Sequence, residues 1–148
     1  MARRVFFSFH YERDIWRANV VRNSWVTQDR EAAGFWDASL WEEAKKKGDA
    51  AIKKMIDEGL FMSSVTAVLI GKETAERKYV QYEIDESVSR GNGLLGVRIE
   101  KIKNKDGETD DAGKNPLPSG YPVHFWYRDE GYENFGTWVE KAAEEAGK

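Results

Sequence analysis

The chain has no cysteine, which rules out disulfides, thiolate metal sites and a cysteine nucleophile. Its two histidines, His10 and His124, are too few and too far apart for a histidine-based metal site. No calcium-loop spacing occurs, although an all-carboxylate site for a hard cation stays open. No apolar run approaches the ~20 residues that a membrane span needs, and the opening MARRVFFSFHYERD has no apolar signal-peptide core. The expected location is therefore the cytoplasm, without a membrane partner. A basic excess is missing too: 23 Lys and Arg against 26 Asp and Glu leave a net charge of −3, which speaks against nucleic acid as a partner. There is no P-loop, and no Rossmann G-x-G-x-x-G loop is expected, so a bound nucleotide would lack a glycine-rich cradle. What the chain does have is 148 residues, 41% of them hydrophobic and 33% charged, enough for one domain with a real core. Its six tryptophans are expected mostly in that core, with a few left to line a pocket for a flat ligand.

Hydrophobic patterning divides the chain into alternating strands and helices. RRVFFSF (3–9) reads as a buried strand, and DIWRANVVRNSWV (14–26) as a helix capped by Asp14. In that helix Ile15, Ala18, Val20, Val21 and Trp25 face inward. A brief strand is expected at 34–37, followed by an irregular segment carrying Ser39 and Trp41. GDAAIKKMIDEGL (48–60) reads as a helix with Asp49 capping its start and Gly59 its end. SSVTAVLIG (63–71) is the clearest strand, apolar enough to be covered on both faces. Further strands are expected at 93–102 and 121–128, separated by a polar surface loop at 103–120, before a last helix with Phe135, Trp138, Val139 and Ala142 inward.

With no repeat and no linker, residues 1–148 form a single domain. The pattern predicts an α/β, flavodoxin-like three-layer fold with a mostly parallel five-stranded sheet and helices on both faces. In strand order 2-1-3-4-5 the ligand crevice lies beyond the carboxyl ends of the first and third strands. That sets SFHYER (8–13) opposite GKETAERKY (71–79).

The helix that follows, within ETAERKYVQYEIDESVSRGN (73–92), holds Glu83. Val80, Ile84, Ser87 and Val88 form its core stripe, and Glu83 lies about 60 to 80° from the centre of that stripe. Two readings stay open from the residues alone. Glu83 is either a boundary carboxylate paired with Arg90, or a group facing the crevice.

RRVFFSFHY, AAGFWDASLWEEAKK, SVTAVLIGKET and KYVQYEI, in this order and spacing, resemble the TIR-like proteins of the Thoeris anti-phage defence systems, a branch of the bacterial TIR domains. The resemblance runs from about residue 3 to residue 100. It implies that Glu83 is the catalytic glutamate of an NAD-cleaving enzyme, an NAD+ nucleosidase or ADP-ribosyl cyclase of the TIR class. Tyr79 stands where many members carry tryptophan. The resemblance also sets Ser8, Phe9 and His10 beside the nucleotide, and Asp37, Ser39 and Trp41 in the segment that covers the site and arranges one subunit against the next. For each of these a structural role is the competing reading: a loop residue for His10, a core side chain for Trp41, a loop cap for Asp37. Arg13 reads either as a pyrophosphate contact or as a solvated charge. NAD+ is implied as substrate, with no further cofactor. The implied product is a cyclic or modified ADP-ribose that activates a separate effector protein, with a phage-derived trigger and self-association also implied. The alternative is a non-catalytic TIR-like interaction module. Receiver and flavodoxin readings fail because the first strand is followed by neither paired acids nor a Ser/Thr-rich phosphate loop.

Overall fold

The computed structural model describes residues 3–26, 31–34 and 38–148. Five strands, β1 (Arg4–Ser8), β2 (Glu31–Gly34), β3 (Val65–Ile70), β4 (Gly93–Arg98) and β5 (Val123–Phe125), form one sheet in the order β2-β1-β3-β4-β5. Every pairing is parallel. β3 is buried along its whole length, as its unbroken apolar run requires. The alternation of side chains sends Val5, Phe7, Ala67, Leu69, Leu95 and Val97 to one face, where they meet α1 (Tyr11–Val26) and α5 (Gly131–Glu145). Phe6 points to the other face, into a cluster with Trp41 of α2 (Ala38–Lys47) and Ile52, Ile56 and Leu60 of α3 (Asp49–Phe61). On that same face Val68, Ile70 and Leu94 pack against Val80 and Ile84 of α4 (Lys78–Ser89). The three-layer arrangement is thus the expected one, and no helix among the described residues is long and apolar enough to cross a membrane.

Local differences from the sequence reading have physical causes. α1 begins at Tyr11 rather than Asp14, because His10 supplies the cap: its carbonyl accepts the Asp14 N–H and its Nδ1 accepts the Arg13 N–H. Asp14 is instead fully buried inside the helix. Gly48 precedes α3 with no side-chain cap, and Gly59 lies within that helix, which runs on to Phe61. Asp49 turns its carboxylate to Lys53, Lys78 and Tyr79. Of the strand expected at 34–37, only Gly34 coincides with β2, and 35–37 lie outside the described residues. Ser39 and Trp41 sit on α2, not in an irregular segment. α4 starts at Lys78 after a 3-10 turn at Thr74–Glu76. Val20 and Val88 are exposed rather than inward.

Residues 91–96 read GNGLLG and do carry the G-x-G-x-x-G spacing, contrary to the sequence expectation. They run from a helix into a strand, the reverse of a dinucleotide loop, which leads from strand to helix. Gly91, at φ 71°, ends α4 in a left-handed turn. There the Asn92 N–H reaches back to the Ser87 carbonyl and the Gly91 N–H to that of Val88. A side chain at Gly93 would meet the Ala142 carbonyl at 2.6 Å, so this glycine lets α5 lie against β4. The spacing is structural.

The polar stretch 103–120 is a strap tied to the body rather than a free surface loop. Arg17, only 1% exposed, donates to the Ile102 and Glu108 carbonyls at 2.6 and 2.9 Å and to Asp14 and Asp110, both at 2.9 Å. Leu117 is buried with the α4-side cluster. Removing one partner from a buried charged network costs roughly 3–5 kcal/mol. Arg17→Met is expected to lose about that much in urea unfolding, and to lose hydrogen-exchange protection at the Asp110 amide, which now bonds the Glu100 carbonyl at 2.8 Å. Unchanged stability and protection would show that Arg17 does not anchor the strap.

Candidate active site

α4 buries Val80, Glu83, Ile84 and Ser87, so Glu83 belongs to the packed stripe and not to its margin. The reason lies in the sheet beneath. Ser8, the last residue of β1, is fully buried, and its Oγ donates to Glu83 Oε1 at 2.6 Å. One turn further along, the Ser87 hydroxyl donates to the Glu83 carbonyl and lies 2.7 Å from the Thr66 hydroxyl. A narrow polar seam therefore runs between α4 and the strands within an apolar layer. Glu83 is 6% exposed, and burial pushes its carboxyl up to about 8, with the Ser8 hydroxyl acting in the opposite direction. Among the described residues no cation pairs with it. Arg90, the partner of the boundary reading, turns instead to Asp57 and Glu86, each at 3.5 Å.

The other expected site residues border this point to different degrees. Phe9 is buried and stacks on Tyr11 with ring centres 5.5 Å apart, and Tyr11 stacks on Trp41 at 4.9 Å. Trp41 is buried, donates its indole N–H to Glu12 and meets the edge of Tyr79 at 6.2 Å. Tyr79 sends its hydroxyl away toward α3, donating to Asp49 at 2.6 Å. His10 is buried, and its Nδ1 is taken up by the Arg13 N–H, which leaves a neutral ring's proton on Nε2. Burial, and then the Arg77 charge, hold the His10 pKa below its usual value. Ser39 lies on α2 with its side chain outside the described part, and Asp37 lies outside it altogether. The structure thus brings together Ser8 and Glu83 directly, and Phe9, Trp41 and Tyr79 through the ring of Tyr11.

The two lips of the expected crevice face each other and are joined by charge pairs. Glu12 meets Arg77 at 3.2 Å and Lys45 at 3.0 Å, while Arg13 meets both Glu73 and Asp110 at 3.0 Å. Gly71 lies directly under the Asp14 carboxylate, and the Gly113 segment of the strap lies on the Gly71 carbonyl. Any side chain at either position would collide. Glu12, Arg77 and Asp110 are the residues that sequence reasoning did not single out, since isolated charges after strands carry no periodic signal. A groove of about 980 Å³ opens elsewhere, lined by Phe61, Tyr82 and Arg90 among others, but by neither Ser8 nor Glu83. The carboxylate environment, not cavity size, marks the site.

A raised carboxyl makes a stability prediction. Folded Glu83 keeps its proton up to about pH 8, whereas an ordinary glutamate loses it near 4.5. The stability that comes from the neutral carboxyl is complete below 4.5 and is lost as pH rises through about 8. Relative to wild type, Glu83→Gln is expected to gain on the order of 2 kcal/mol or more between pH 5 and pH 9 in urea unfolding. The same difference at both pH values would contradict the raised pKa.

The chain matches the family described as "Thoeris protein ThsB, TIR-like domain" over residues 6–104, a span that holds Ser8, Trp41, Tyr79 and Glu83. It is 38% identical to the "Putative cyclic ADP-D-ribose synthase ThsB1" of Bacillus cereus (strain MSX-D12), across 94% of this chain and all of that protein. With two thirds of its length matched by the family and a relative aligned nearly end to end, the chain belongs to the ThsB TIR-like family of Thoeris proteins.

Proposed function

We propose that the protein cleaves the nicotinamide–ribose bond of NAD+ and converts the ADP-ribosyl part into a cyclic or modified ADP-ribose that signals to a separate anti-phage effector. The observation that carries this reading is the buried carboxylate of Glu83, bonded to Ser8 at the end of β1 and paired with no cation among the described residues. The relative's name, a cyclic ADP-D-ribose synthase, supports it.

The chemistry asks for little more than such a carboxylate. When the C1′–N1 bond breaks, its electron pair moves to the pyridinium nitrogen, and nicotinamide leaves neutral. No general acid has to protonate the leaving group, in contrast to ordinary glycosides. Positive charge builds on the ribose ring, and a fixed carboxylate in a poorly solvated site stabilises it. Water attacking C1′ gives ADP-ribose and a proton; an adenine nitrogen of the same substrate gives a cyclic product and a proton. A pocket that folds the dinucleotide and excludes water favours the second outcome. Glu83 must be ionised to act, and the cationic ring of NAD+ beside it favours ionisation. The Glu12–Arg77 and Arg13–Glu73 pairs close the ligand-free crevice, so binding has to part them. That closure is also what favours the competing reading, a non-catalytic module that assembles with partners. A phage-derived trigger and self-association belong to the same proposal as agents that open the crevice.

The test is nicotinamide release and mass spectrometry of nucleotide products, with purified protein and NAD+, in buffer and in lysate from phage-infected cells. Wild type is expected to release nicotinamide in at least one of the two, with a rate that rises with pH toward the Glu83 pKa. Glu83→Gln is expected to be slower by about 100-fold or more. Equal rates for the two proteins would remove Glu83 from the mechanism. No new nucleotide in either setting would favour the non-catalytic module.

A further inference from the structure

We infer that Ser8 is a positioning residue for Glu83, fixing where its carboxylate points, and not a contact for the substrate. The inference rests on the catalytic reading of Glu83. Ser8 closes a strand whose neighbouring side chains, Val5, Phe6 and Phe7, are all apolar and buried. A hydroxyl there costs desolvation unless it is bonded. Its one proton goes to Glu83 Oε1 at 2.6 Å. To donate to a ribose hydroxyl, Ser8 would have to give that bond up.

Among the described residues no other group is bonded so that it could take over the task. Thr66 and Ser87, the remaining hydroxyls of the seam, bond each other, and Ser87 also bonds the Glu83 main chain. Among the described residues the Ser8 hydroxyl is the only hydrogen-bond partner of the Glu83 carboxylate. The anchor is rigid as well. β1 lies between β2 and β3, and Ser8 is in register with Val68 of β3, so its backbone is held at the end of an interior strand. Val80 and Ile84 flank Glu83 on α4 and supply no donor for any other orientation. A glutamate side chain with three rotatable bonds is thus held by one hydroxyl on an interior strand of the sheet. Such support from a rigid element is what keeps a catalytic group within a productive geometry.

Ser8→Ala, Ser8→Cys and Ser8→Thr separate this role from substrate contact. Two readouts apply: titration of Glu83 by NMR with carbon-13-labelled glutamate in the ligand-free protein, and steady-state kinetics of nicotinamide release against pH. Without its donor, the Glu83 carboxylate of Ser8→Ala is expected to bind its proton about ten-fold more tightly, and the pH–rate profile should move to higher pH with it. kcat is expected to fall about ten- to a hundred-fold with KM nearly unchanged. Ser8→Thr keeps the hydroxyl and is expected to restore the Glu83 titration, while Ser8→Cys, a weak donor, should behave like alanine. An unmoved Glu83 titration in both Ser8→Ala and Ser8→Cys, or a rise confined to KM, would overturn the inference. The titration needs no turnover, so a wild type that fails to cleave NAD+ refutes the proposed activity while the titration still decides the Ser8–Glu83 coupling.

Discussion

Two buried ionisable groups in this protein are treated in opposite ways, and the contrast organises the structure. Arg17 lies beneath the strap with donors matched to two carboxylates and two carbonyls. Its burial is compensated, and it ties residues 102–110 to α1. Glu83 is buried too, yet the described residues offer its carboxylate one hydroxyl and no cation. An uncompensated buried carboxyl weakens the fold at neutral and alkaline pH. A chain that only needed to pack α4 on the sheet would do better with leucine there. Side chains that cost stability in this way are concentrated at functional sites.

Much of this was legible in the sequence, for reasons that can be named. The continuous apolar runs of β1 and β3 required a sheet covered on both faces, and the alternation of elements then fixed the parallel order and the location of the crevice. The helical period brought Glu83 to the edge of the buried stripe. Its final place depended on Ser8, 75 residues away, and pairing across that separation leaves no periodic trace. The same holds for the strap. Composition marked 103–120 as polar and turn-rich, but its attachment through Arg17 and Asp110 is a matter of complementary charges on distant segments. The start of α1 was misplaced because histidine is not among the usual caps, and its ring nitrogen does that work here. The GNGLLG run shows the opposite failure, a familiar spacing in the wrong order of elements.

The lips of the expected crevice are bridged by charge pairs. Glu12 and Arg13 on one lip hold Arg77 and Glu73 on the other, while Gly71 makes room for the Asp14 carboxylate and Gly113 lets the strap lie on the Gly71 carbonyl. Exposed and half-buried pairs of this kind are each worth about 1 kcal/mol or less, so in the proposed reaction parting them to admit NAD+ costs little. The aromatic run from Phe9 through Tyr11 and Trp41 to Tyr79 also joins the two lips.

In the proposed reaction Glu83 is neutral in the empty site and becomes the anion when a positively charged ring arrives. Proton release on ligand binding tests that claim most directly. Isothermal titration calorimetry at pH 7, repeated in buffers of different ionisation enthalpy, counts the protons released. An NAD+ analogue with a carbocycle in place of the nicotinamide-bearing ribose keeps the cationic ring but cannot be cleaved; it should release close to one proton on binding to wild type, and NADH, whose nicotinamide ring is uncharged, close to none. Binding of the analogue without proton release, or equal release with NADH, would contradict the account.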